Sequence, residues 1–125
     1  MNYSKKARKT NQKLIQHDFL LSPEDRIIYA YTRNLDDNSI VEVVNVSYDI
    51  FIKNKWHTII RYDSHHGFLH RHERLTLNDE KAIADPINLL GTHSDWLTWA
   101  VQDLLNNFRQ YKQTFFDNNF TIDKV

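Results

Sequence analysis

The chain has 125 residues, 41% apolar and 13% aromatic, with two glycines and two prolines, which suits one globular domain (residues 1–125) around one core rather than a disordered chain. It contains no cysteine, so disulfides and thiolate metal sites are excluded. The formal net charge is zero, so no global field draws the protein onto nucleic acid, although residues 1–77 carry 12 basic and 9 acidic side chains and residues 78–125 carry 4 and 7.

Residues 1–20 are expected to form a basic N-terminal arm or helix. Tyr3, Ala7, Leu14 and Ile15 sketch a thin apolar stripe over residues 4–17. Lys5, Lys6, Arg8, Lys9 and Lys13 face no acid among the first 13 residues. Such an arm can contact phosphates or an acidic partner, and its ordinary role is a solubilising terminus. No apolar run approaches the roughly 20 residues of a membrane span. The N-terminus also lacks the apolar stretch of a secretory signal. A soluble cytoplasmic protein without a membrane partner is the expectation.

Ser22-Pro23-Glu24-Asp25 breaks the chain, and Arg26 to Arg33 reads as a strand rich in Ile and Tyr. Asp36 to Ser39 is a turn. Ile40 to Lys53 follows, with Val44, Val46, Tyr48, Ile50 and Ile52 at strict period two. Asn54-Lys55 marks a short hairpin, Trp56 to Asp63 the next strand, SHHG a turn, and Phe68 to Leu77 the strand after it. Residues 26–77 therefore predict an antiparallel meander of about four strands. Residues 78–93 are mostly irregular. Thr92-x-x-Asp95 resembles a capping box, and a helix over 94–117 follows. Its stripe runs through Leu97, Ala100, Val101, Leu104, Leu105, Phe108, Tyr111 and Phe115. The fold class is α+β, a meander packed against a long C-terminal helix.

Four of the seven histidines fall within residues 59–75. With SHHG as a four-residue loop, Asp63 stands opposite Phe68, Arg61 opposite His70, Ile59 opposite His72 and His57 opposite Arg74. Alternation then gathers His57, Arg61, Asp63, His70, His72 and Arg74 on one face, with His65 and His66 at the rim. Trp56, Ile60, Tyr62, Leu69 and Leu75 take the other face, under the helix. A two-residue Asn54-Lys55 turn conflicts with this parity, because it brings the apolar side of the preceding strand to the histidine side. An odd-length loop or a β-bulge resolves the conflict. Otherwise the histidines line a cleft or a subunit interface, as in a homodimer.

A strand histidine is ordinarily a surface residue or a hydrogen-bonded interior one. The convergence of His, Arg and Asp on one face is what suggests chemistry. Cleavage of RNA through its 2′-hydroxyl needs a base, an acid and positive charge beside the phosphorus. Imidazoles, with an unperturbed pKa of ~6.5, serve as base and acid near neutrality. Arginine offers a bidentate fork to phosphate oxygens. Asp63 can orient an imidazole, and no metal or other cofactor is required. His70-x-His72, completed by His57 or Asp63, is the competing metal site.

Arg61-Tyr62-Asp63, then His66-Gly67, then His70-Arg71-His72 resembles the R-Y-D…H-G…H-x-H centre of the TumE-like toxins of bacterial and archaeal toxin–antitoxin pairs, and of related small families. The resemblance covers roughly residues 40–110, from the strand pair through the histidine motif to a helix with a Phe near its end, here Phe108. It implies a small cytoplasmic protein paired with an antitoxin protein and acting on RNA. Asp63, His66, His70 and His72 match motif positions. The basic arm and the DPINLLGTH segment depart from the pattern.

The leading expectation is a toxin-like, metal-independent ribonuclease. His70 and His72 are its acid and base, Asp63 orients a histidine, and Arg61 holds phosphate. Arg74, His57, His65, His66, Lys5, Lys6, Arg8 and Lys9 are the substrate-binding candidates. A non-catalytic interaction module, using the histidine and aromatic face, is the second reading. A metal-dependent hydrolase is the third.

Overall fold

The computed structural model describes residues 11–65, 67–77 and 83–120. Six strands run in sequence order through one antiparallel sheet: β1 (Gln12–Ser22), β2 (Asp25–Asn34), β3 (Ile40–Ile52), β4 (Lys55–Asp63), β5 (His70–Glu73) and β6 (Ile83–Pro86). Among the described residues one helix, α1 (His93–Phe120), packs across one face, chiefly over β3. The α+β meander with its C-terminal helix is as the sequence predicts, with six strands in place of four.

Both additional strands lie at the sheet edges. Residues 12–20 are strand, not helix or arm, and β1 pairs with β2 from Gln12↔Asn34 to Ser22↔Asp25. Most β1 side chains are exposed, with only Ile15 and Leu21 partly buried against the core, so neither a period of two nor one of 3.6 is imposed on the strand. The rest of the predicted arm, with Lys5, Lys6, Arg8 and Lys9, lies outside the described residues. At the other edge, β6 pairs with β5 in a stretch where an irregular segment is expected, and it holds four residues.

The β3–β4 turn is Lys53-Asn54, one residue earlier than the hairpin signal suggests, since Ile52 pairs with Lys55. Lys53 and Asn54 have φ of 52° and 64°. Positive φ at both central residues is what a type I′ hairpin requires. α1 begins where the capping box predicts: Thr92 N donates to Asp95 Oδ2 at 2.8 Å and Asp95 N donates back to Thr92 Oγ1 at 3.3 Å. The helix extends three residues beyond the expected end at Asp117.

The core forms where the apolar side of the sheet meets α1. Ile27, Tyr48, Ile50, Ile60, Tyr62 and Leu69 are buried against Leu104, Phe108 and Phe115. Two carboxylates pin the helix to this face. Asp103 of α1 accepts from the Tyr62 and Tyr111 hydroxyls, the second at 2.7 Å. Asp25 of β2 accepts from Tyr48 Oη at 2.6 Å and from Lys112 Nζ of α1 at 3.1 Å. Burial, reinforced by these carboxylates, holds the Tyr48 and Tyr62 phenols far above their ordinary pKa and pushes Tyr111 up to about 12. All three hydroxyls therefore act as fixed donors.

Candidate functional site

The opposite face of β4 and β5 carries the histidine cluster. Asp63 pairs with His70 and Arg61 with His72. The expected register, with Asp63 opposite Phe68, is corrected by two residues. A two-residue shift keeps every side chain on its own face, whereas a one-residue slip would have reversed them all. The shift makes the connection longer than the SHHG loop. Buried Ser64 anchors it to β3: Ser64 N donates to Val43 O and Val43 N donates to Ser64 Oγ, each at 2.8 Å. Gly67, with φ of 90°, turns the chain back toward β5 in a conformation that side chains rarely adopt.

Asp63 is the centre of the cluster, with its side chain 9% exposed. Its Oδ2 accepts from Arg61 Nη1 at 2.7 Å and lies 3.0 Å from His72 Nε2. Its Oδ1 accepts from the backbone N of His65 at 3.1 Å, which fixes the carboxylate from the loop side. The rings of His70 and His72 stand 6.4 Å apart, and Phe68 packs on His70 at 4.1 Å. Arg61, Asp63, His65, His70 and His72, together with Glu42 and Val44 of β3, line an open cleft of about 550 Å³. His65 Nδ1 lies 3.9 Å from Glu42 Oε2 across it.

Five of the sequence-derived candidates thus meet in one cleft. His57 does not. Tyr48 pairs with Ile60 but Asp49 with Thr58, so Ile59 is an extra residue in β4. This bulge reverses the alternation and resolves the parity conflict. His57 pairs with buried Ile50 and shares its face, while Thr58 bonds Asp49 on the other. Trp56 is displaced the opposite way. It leaves the helix side and stands beside Phe51, with Arg26 over its ring at 4.3 Å. Arg74 continues past β5, where its guanidinium donates to Leu77 O at 3.3 Å, and it is not among the residues lining the cleft. His66 lies outside the described residues, as do Lys5, Lys6, Arg8 and Lys9.

Glu42 and Val44 are the lining residues that sequence reasoning missed. Ala30 pairs with Asn45 and Tyr31 with Val43, which leaves Val44 as an extra residue in β3. The apolar doublets Val43-Val44 and Ile59-Ile60 are the signals for the bulges at Val44 and Ile59, two of the sheet's register shifts, since each interrupts a period of two.

Among the described residues, no group of three His, Asp or Glu side chains is placed to hold a metal ion, and no helix is long and apolar enough to cross a membrane. The arrangement joins a cation, a buried carboxylate and two imidazoles on one open surface, which suits proton transfer beside an anionic substrate.

Searches of curated proteins and of solved structures gave no match. The model of one family, described as Domain of unknown function (DUF7718), matches residues 9–121. That match takes in all six strands and α1 up to its last residue, together with every residue lining the cleft, and the chain belongs to the DUF7718 family.

Proposed function

We propose that the cleft is the active site of a metal-independent ribonuclease, the toxin of a toxin–antitoxin pair. The observation that carries this reading is the Arg61–Asp63–His72 chain, with His70 beside it in the same cleft. His72 is the base. Asp63 orients its ring and stabilises the imidazolium that forms when it takes the proton of the RNA 2′-hydroxyl. The 2′-oxygen attacks phosphorus and the bond to the 5′-oxygen breaks. His70 donates its proton to that leaving oxygen, so the products are a 2′,3′-cyclic phosphate and a free 5′-hydroxyl. Arg61 supplies positive charge beside the phosphoryl oxygens as the transition state forms. The partner is an antitoxin protein that covers the cleft.

A second reading, an interaction module, draws on a different surface. β1 is a sheet-edge strand of 11 residues, and it exposes Leu14 (58%) and Leu20 (63%). Such an edge is a template for strand addition by a second chain. One experiment separates the readings. Wild type and His70→Ala/His72→Ala are expressed in a bacterial host, RNA ends are sequenced, and the purified proteins are weighed by light scattering. Growth arrest with cyclic-phosphate ends, absent from the double variant, is expected. Arrest that survives the double substitution would remove these histidines from the chemistry. A wild type that neither cleaves nor arrests growth, yet runs as a dimer, would favour the interaction module.

A further inference from the structure

A large apolar ring, Phe68, packs on His70 beside the cleft and outside the residues that line it. Phe68 is 45% exposed and lies two residues before His70, in the turn that leads into β5. Its ring lies 4.1 Å from that of His70, tilted by 42°. Phe68, His70 and His72 therefore form a row, and Arg61 is paired with His72 at its far end. The His70 ring is in turn 6.4 Å from that of His72, so the row can carry a base at Phe68 and its phosphate past His70.

The charges give the row a direction. Arg61 and the two histidines can meet a phosphate. Glu42, whose side chain is 40% exposed on the β3 side of the cleft, places a like charge against one. A nucleotide strand is thus kept along β5, with its phosphate at Arg61, His70 and His72 and the neighbouring base over Phe68. An aromatic face accepts any unstacked base, and in a duplex the bases are stacked inside and out of reach.

We propose that Phe68, backed by His70, is a stacking platform for an unpaired base beside the reacting phosphate, and that the substrate is single-stranded RNA or an unpaired loop. This rests on the ribonuclease reading and narrows it to a substrate class.

The test uses the full chain and a fluorescent, fully 2′-deoxy single-stranded octanucleotide, which cannot be cleaved through a 2′-hydroxyl, with its duplex form as comparison. Anisotropy gives Kd for wild type, Phe68→Leu and Phe68→Trp, each checked for native circular dichroism. The single strand should bind more tightly than the duplex. Phe68→Leu, which keeps an apolar side chain without a ring, should weaken binding on the order of 10- to 100-fold, and Phe68→Trp should retain it. Equal affinity for duplex, or Phe68→Leu binding like wild type, overturns the platform. Cleavage of RNA by the same proteins is measured in parallel. Ring-dependent binding without any cleavage would support the platform while ending the ribonuclease reading. Cleavage unaffected by Phe68→Leu would do the reverse.

Discussion

Asp63 satisfies three donors with two oxygens while its side chain is only 9% exposed. A buried carboxylate is costly unless every lone pair it turns inward is met, and here Arg61, His72 and the His65 backbone meet them. The arrangement has a direction, because Asp63 stands between the cation and the imidazole and positions both. Asp63→Asn keeps the shape but removes the charge, and with its amide oxygen at the position shared by Arg61 and His72 its amide nitrogen stands against the backbone N–H of His65. Its effect on RNA cleavage is expected on the order of 10²–10⁴ in rate, the range for one acid or base. The fall should lie in kcat rather than in KM, since an imidazolium forms only as the reaction proceeds. A variant that cleaves at the wild-type rate would take Asp63 out of the machinery and leave it a structural clamp on the β4–β5 hairpin.

At the scale of elements, α1 is held to the sheet by packing and by two carboxylate clamps, and the Asp25 clamp is sensitive to acid. Burial works to raise the pKa of Asp25. The hydrogen bonds from Ser22, Tyr48 and Lys112, with the charge of Lys112, outweigh burial and hold it below the ordinary aspartate value. A carboxyl lowered by folding stabilises the protein above its unfolded pKa, ~3.9, and loses that contribution as pH falls through the lowered value. Asp25→Asn should therefore cost about 1–3 kcal/mol at neutral pH, as a buried charged hydrogen-bond network loses its charge. The cost should shrink toward zero in strong acid. Urea midpoints measured from pH 7 down to pH 2 check this, and a difference that stays constant with pH would mean that the clamp carries no ionic component.

β3 carries a regular apolar set at Val46, Tyr48 and Ile50, and α1 carries a full apolar stripe and a capping box, so both are legible in the sequence. β1 has most of its side chains exposed, and only Ile15 and Leu21 pack against the core, too few to impose a period on Leu14, Phe19 and Leu20 as well. β6 is made by pairing to β5 and has only four residues of local signal. The site was legible where alternation runs unbroken, at Arg61, Asp63, His70 and His72. It was misread at His57, because the bulge at Ile59 lies between that histidine and the others.

For the molecule as a whole, zero net charge means that any RNA affinity must come from local groupings of cations rather than from a global field. Two groupings could contribute: the cleft, where Arg61 stands with the histidines, and the segment carrying Lys5, Lys6, Arg8 and Lys9. Counterion release separates them. Each phosphate neutralised on a single strand steepens the slope of log K against log salt by about 0.7. If the cleft alone binds, one or two contacts give a shallow slope of about −0.7 to −1.4. If the N-terminal cations each meet a phosphate, four more contacts add about −2.8. The zero net charge and the acidic excess of residues 78–125 leave little other attraction for an anion. The expectation is that these four side chains supply most of the salt dependence, while the cleft supplies the chemistry. The variant Lys5→Gln/Lys6→Gln/Arg8→Gln/Lys9→Gln should bind a single-stranded oligonucleotide more weakly at low salt and with a slope about 3 shallower. Its cleavage rate at saturating RNA should stay near wild type, because none of the four belongs to the Arg61–Asp63–His72 chain. A salt slope unchanged by the substitutions would confine RNA binding to the cleft.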